Sequence, residues 1–219
     1  MMKAIILAAG MGLRIRSKFV DPKALIKIGK ETILDRQLRL LKEVGIKDVY
    51  IVTGYKEYLI KQQYPQLNFI TNPFYMVTNT LASLMLALVH VKEDTFIING
   101  DTVFSDDLLP KMIGADNYCG VQNIDRTSEE VTVTIENNKI TNIGKWVMND
   151  IEAVGVYKLN KSFLLDLYRV SENTKTIFID YYEDGFNRIL RSHLFYPVFT
   201  FAEEIDTYDD YKRAQERFG

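Results

Sequence analysis

KAIILAAGMGLRIRSKFVDPK, residues 3–23, joins an unbroken apolar run to two glycines and two spaced cations. Ile5–Ala9 reads as a fully buried strand, the kind that favours a parallel sheet. Gly10 and Gly12 follow at once, so the strand delivers bare backbone to a sheet edge, where N–H groups reach a phosphate. Arg14 and, after Pro22, Lys23 supply the charge to neutralise it.

The chain beyond this stretch continues the alternation. Thr32 precedes a helical pattern (Ile33, Leu34, Leu38, Leu41, Val44) that Gly45 ends. Val49–Val52, Phe69–Thr71 and Phe96–Ile98 read as further strands, with helices predicted at Glu57–Gln63 and from Asn79 to Val91. Three strand–helix alternations predict βαβ units and a doubly wound, mostly parallel α/β sheet, Rossmann-like in layout. Right-handed crossovers then open Gly10–Gly12 and Asp101 on the same edge, where ligands of such sheets bind.

After Asp101 the pattern changes. Ser105 is expected to cap a short helix through Lys111, and Tyr118–Val121 to form a strand. Val131, Val133 and Ile135 alternate with threonines, and Asn137-Asn138 turns the chain into Lys139–Ile143, a small antiparallel hairpin insertion. Ala153–Tyr157 and Phe195–Phe199 are strands. Helices are predicted near Phe163–Leu167, across Phe178–Leu190 and from Tyr208. No repeat or flexible linker interrupts the 219 residues, so one domain is expected.

Bulk properties narrow the function. Twenty-seven Lys and Arg against 29 Asp and Glu give a net charge of −2, which provides no basic field for nucleic acid or a membrane surface. No apolar run approaches the ~18 residues of a membrane span. The single Cys119 excludes an intramolecular disulfide, and cytoplasm is the expected location.

The glycine loop lacks the lysine of a Walker loop, and Ile15 occupies the third glycine position of a dinucleotide fingerprint. What remains, Gly10-x-Gly12-x-Arg14 with Lys23, suits a triphosphate. Asp101, at the end of an apolar strand, is placed to hold Mg²⁺, a hard cation that takes few carboxylates beside phosphate oxygens. Asp206, between a strand and a helix, is the choice for a second carboxylate.

Leu7-Ala8-Ala9-Gly10-Met11-Gly12-x-Arg14, Pro22-Lys23, Gly100-Asp101 and Ile205-Asp206-Thr207 together resemble the nucleotidyltransferases that activate phosphorylated small molecules with an NTP. Asn72-Pro73-x-Tyr75-x3-Asn79-x3-Ser83 and the segment Glu204–Tyr211 are similar to the phosphocholine cytidylyltransferase branch. The resemblance implies that Leu7, Ala8, Ala9, Gly10, Met11 and Gly12 hold the base and phosphates, with Asn79 and Ser83 near the cytosine. It implies that Arg14 and Lys23 grip the triphosphate, and that Asp101 and Asp206 bind Mg²⁺. Tyr182 matches an aromatic position of the choline pocket, and Glu130 and Glu183 stand where that branch places tryptophans.

The reaction expected from this resemblance is CMP transfer from CTP to phosphocholine, an aminoalkyl phosphate or phosphonate, or a phosphorylated amino-acid derivative, in surface glycan or lipid decoration. Competing readings are a sugar-1-phosphate nucleotidyltransferase using another NTP, a nucleotide-sugar glycosyltransferase, and a catalytically silent nucleotide-binding subunit. Asp101-Thr102-Val103 lacks the second acid of the glycosyltransferase Asp-x-Asp. Oligomeric state stays open, a homodimer being one option. His90 and His193 are read as surface or packing residues.

Overall fold

The computed structural model describes residues 2–124 and 130–219. Its centre is the strand Lys3–Ala8, which pairs in parallel with Val49–Thr53 on one side and Thr95–Asn99 on the other. Asn68–Thr71 extends the parallel half beyond Val49–Thr53. Successive side chains of a strand point to opposite faces, and this strand divides accordingly. Ile5 packs on one side with Val52, Leu84 and Ile97. Ala4 and Ile6 pack on the other with Leu34, Ile51 and Ile98. Both isoleucines are fully buried, each contributing about 2 to 3 kcal/mol of apolar transfer.

The helices cover both faces. Ile33–Glu43 starts at Thr32, whose hydroxyl accepts from Asp35 N while the Asp35 carboxylate takes Thr32 N. Gly45, at φ +80°, follows its end. Its apolar stripe and Ile60 of the Glu57–Gln63 helix lie in the core of Ala4 and Ile6. The Thr80–Leu88 helix lies in the core of Ile5, on the opposite face. The winding therefore reverses between Lys3–Ala8 and Thr95–Asn99, and the crevice at such a switch point is where an open α/β sheet binds ligand.

The other half of the sheet is mixed. Ile151–Leu159 runs antiparallel to Thr95–Asn99 and to Asn117–Asn123, and Phe195–Phe199 runs parallel to the latter. The expected hairpin is present as Thr132–Glu136 and Lys139–Gly144, turned by Asn137 and Asn138 at φ +50° and +60°. It is continuous with the nine-stranded sheet, joined through Thr132 opposite Glu152.

Two local expectations change. The short helix is Leu108–Lys111 and starts at Asp107, because Ser105 is engaged by the Phe201 carbonyl through both its N–H and its hydroxyl. The helix expected across 178–190 is confined to Tyr182–Asn187. The preceding turn is held instead by Asn79, which donates its N–H to Phe178 O and its amide to Ile179 O. One ribbon has no counterpart in the sequence reading: Thr102–Phe104 pairs antiparallel with Ala202–Glu204.

Candidate active site

The glycine loop is shaped around Lys23. Gly12 adopts φ +57°, and a β-carbon there would stand 3.0 Å from Lys23 Cγ, so the lysine stem lies along the loop backbone only because position 12 is bare. Gly100 makes the second close approach. Its N–H donates to Leu7 O at 2.8 Å, and a β-carbon would meet that of Ala8 at 2.8 Å. Asp101 is thereby held beside the loop, as the shared-edge expectation requires. Nothing lies within 4 Å of the β-carbon position of Gly10, which faces open space.

Lys23 begins a short 3₁₀ turn after Pro22 and points its ammonium between two carboxylates, 2.6 Å from Asp101 Oδ2 and 2.5 Å from Asp206 Oδ1. Arg14 bonds the other oxygen of Asp206. Burial opposes the charge on Lys23, but Asp101 and Asp206 outweigh it and hold the ammonium well above its ordinary range. The ribbon explains how a residue near the C-terminus arrives here. Glu204 lies opposite Thr102, and Ile205 N donates to Asp101 O at 3.0 Å, placing Asp206 beside Asp101. Asp210 accepts from the N–H groups of Asp206 and Thr207 and fixes that turn.

The ribbon adds a third acid. Carboxylate oxygens of Asp101, Glu204 and Asp206 lie within 4.8 Å of one another. Glu204 is exposed at the cleft. Desolvation by its surroundings, then the Asp101 and Asp206 charges, push its carboxyl above the usual carboxylate range, while Lys23 pulls the other way. Three hard oxygen donors at this spacing suit a divalent cation such as Mg²⁺. Glu204 and Asp206 are spaced as residues of a strand that share one face, the signal in the sequence that points to Glu204.

From this cluster a cleft of about 910 Å³ runs over the strand Ile151–Leu159, and Arg14, Glu130, Glu152, Lys145 and Tyr182 are among the residues lining it. Tyr182 is fully buried, edge-on to Tyr157, with its hydroxyl donating to Asn99 Oδ1 at 2.7 Å. It forms the wall and presents no exposed ring face. Glu183 is also buried and accepts from the Tyr157 hydroxyl at 2.9 Å. Glu130 is partly exposed. Asn79 caps the Thr80–Leu88 helix with one end of its amide, and Ser83 accepts from Asn72 at 3.0 Å. Both stand on that helix, whose Thr80 reaches the cleft. His193 packs against Phe163 and Asp166, a packing residue as expected, and Cys119 is buried.

Burial, with Asp184 adding to it, pushes Glu183 from 4.5 up to about 7 against the bonds from its own backbone and Tyr157. An acid whose folded value is raised keeps its proton in the native state after the unfolded chain has lost its own. The stability that Glu183 contributes therefore falls as pH rises from about 4.5 to about 7 and is level beyond. Glu183→Gln is expected to gain about 2 to 3 kcal/mol near pH 8 and almost nothing near pH 4.5. Thermal melting at the two pH values checks this, and an equal gain at both would refute it.

The sequence profile of the MobA-like NTP transferase domain matches residues 4–136. Choline-phosphate cytidylyltransferase of Streptococcus pneumoniae is 32% identical over 152 residues, covering 65% of this chain and 63% of that protein. CTP:phosphoglutamine cytidylyltransferase of Campylobacter jejuni is 27% identical over 176 residues, covering 76% of this chain and 65% of that protein. The aligned segments thus span just under two thirds of these relatives' length. The inositol-1-phosphate CTP transferase of T. maritima superposes with a TM-score of 0.81 at 19% identity, over 99% of this chain and 96% of that one. The nucleotidyltransferase fold expected from residues 3–23 is thus present, and the chain belongs to the MobA-like NTP transferase domain family.

Proposed function

We propose that this protein transfers CMP from CTP to a phosphorylated small molecule and releases pyrophosphate. The observation that carries the reading is the cluster of Lys23, Asp101, Glu204 and Asp206 against the glycine loop at the switch point. The family match supports nucleotide transfer, and relatives whose names specify CTP and a phosphorylated acceptor support the base and the acceptor class.

In this reading the backbone of Leu7, Ala8, Ala9, Gly10, Met11 and Gly12 receives base and phosphates, with Asn79 and Ser83 toward the cytosine end. Lys23 turns from the carboxylates to the triphosphate, where with Arg14 it stabilises the charge that builds on the leaving pyrophosphate. An acceptor phosphate oxygen forms the new bond to the α-phosphorus, and the bond from that phosphorus to the pyrophosphate oxygen breaks. No general base is needed, because a phosphomonoester with a second pKa near 6 is mostly dianionic at neutral pH. Asp101, Glu204 and Asp206 would hold Mg²⁺, which when bound polarises the α-phosphate. Glu130 and the Tyr182–Glu183 wall border the acceptor end.

The test is pyrophosphate release with each NTP against a panel of phosphates, with and without EDTA. The expected result is Mg²⁺-dependent release with CTP and a non-sugar phosphate. Release only with another NTP and a sugar 1-phosphate would move the protein to the sugar-phosphate branch. No release with any pair would favour a silent nucleotide-binding subunit. No described helix is long and apolar enough to cross a membrane, which fits acceptors dissolved in water.

A further inference from the structure

The acids along the cleft differ in one respect. Asp101 and Asp206 share Lys23, and Asp210 and Glu203 share Arg213. Glu152 is half-buried in the same cleft, and among the described residues it has no cation within ion-pair distance. Among the described residues the one side-chain hydrogen bond it makes is neutral, from Gln122 Nε2 at 2.8 Å. Gln122 is fixed in that orientation because its Oε1 accepts from Ala202 N at 3.0 Å, on the ribbon that carries Glu204. The charges of Glu130, Glu203 and Asp210 act on Glu152, and Glu152 acts on Glu204, so it sits among like charges beside the acid cluster. A half-buried carboxylate among like charges is costly unless a cation meets it.

We propose that Glu152 receives the protonated amine of the acceptor, so that the acceptor is a phosphorylated small molecule carrying an N–H ammonium group. This rests on the acceptor reading above and deepens it. A second metal is disfavoured, because Glu152 is no part of the only carboxylate cluster with ligand spacing among the described residues. A quaternary ammonium is disfavoured because it needs aromatic faces. The Tyr182 ring is buried, and the Tyr181 ring already carries Lys145 Nζ at 4.6 Å from its centre. An ammonium with N–H groups needs no ring face: it donates to the carboxylate in a charge-assisted bond, with Gln122 holding the other side.

The experiment measures kcat/KM with CTP and three probes: 2-aminoethyl phosphate, phosphocholine, and ethyl phosphate, which lacks the amine. The wild-type protein is expected to prefer 2-aminoethyl phosphate over both. In Glu152→Gln the preference over ethyl phosphate falls by about 30-fold or more, while ethyl phosphate turnover and KM for CTP hold and the melting temperature does not fall. An unchanged preference in the variant, or a wild-type preference for phosphocholine or ethyl phosphate, overturns the proposal. If the wild type uses none of the three but turns over a sugar 1-phosphate, the acceptor reading itself fails, and this inference with it.

Discussion

Asp101→Ala is expected to abolish turnover, by about a thousandfold or more, while the protein remains folded. The carboxylate stands beside the glycine loop, belongs to the three-acid cluster and contacts Lys23, so its loss removes one of the three oxygen donors of that cluster. Its structural contribution is small. The backbone bond from Ile205 N to Asp101 O and the strand pairing on either side do not use the side chain. The ion pair lost is mostly buried, but Lys23 keeps Asp206 as a partner, so no buried charge is left unpaired. Pyrophosphate release paired with thermal melting separates the two effects. Retained turnover would sink the metal role, and an unfolded variant would call for Asp101→Asn in its place.

Lys23→Met is expected to move two readouts in opposite directions. Turnover falls about a hundredfold, because the triphosphate loses a buried cation aimed at its charge. Divalent metal binding by the nucleotide-free protein becomes tighter. Lys23 stands within hydrogen-bond distance of both Asp101 and Asp206, the oxygens a divalent cation would need, and so would compete with it. Removing the ammonium leaves like charges that attract a cation more strongly. Titration with Mn²⁺, followed by its spin-resonance signal, reads the second effect. Weaker metal binding in the variant would show that Lys23 supports the carboxylate geometry instead of competing for it.

The parallel half of the fold was legible because its signals are local. A continuous apolar strand, a capped amphipathic helix and a helix-ending Gly45 each declare themselves within a few residues, and the switch point follows from their order. Arg14, Lys23, Asp101 and Asp206 were legible as a group and stand together. The ribbon between Thr102–Phe104 and Ala202–Glu204 was not, because three-residue strands carry too little periodicity to be seen and their pairing joins segments separated by nearly half of the chain. Glu204 was lost with it. Glu152 gave no signal at all: an acid alternating with apolar neighbours reads as the solvent face of a strand, and only the fold turns that face into a cleft wall. Tyr182 and Glu183 were read as pocket surface, and they lie in its wall, because motif spacing gives no measure of depth.

The same ribbon has a consequence for how the protein is made. The glycine loop, Lys23 and Asp101 all leave the ribosome early, together with the strands of the parallel half. Glu204 and Asp206 follow after a stretch of chain whose synthesis takes on the order of ten seconds. During that interval a nascent chain holds a phosphate-binding loop but one acid of the three, with Lys23 lacking half of its partners. The three-acid cluster is therefore the last part of the candidate site that the growing chain completes.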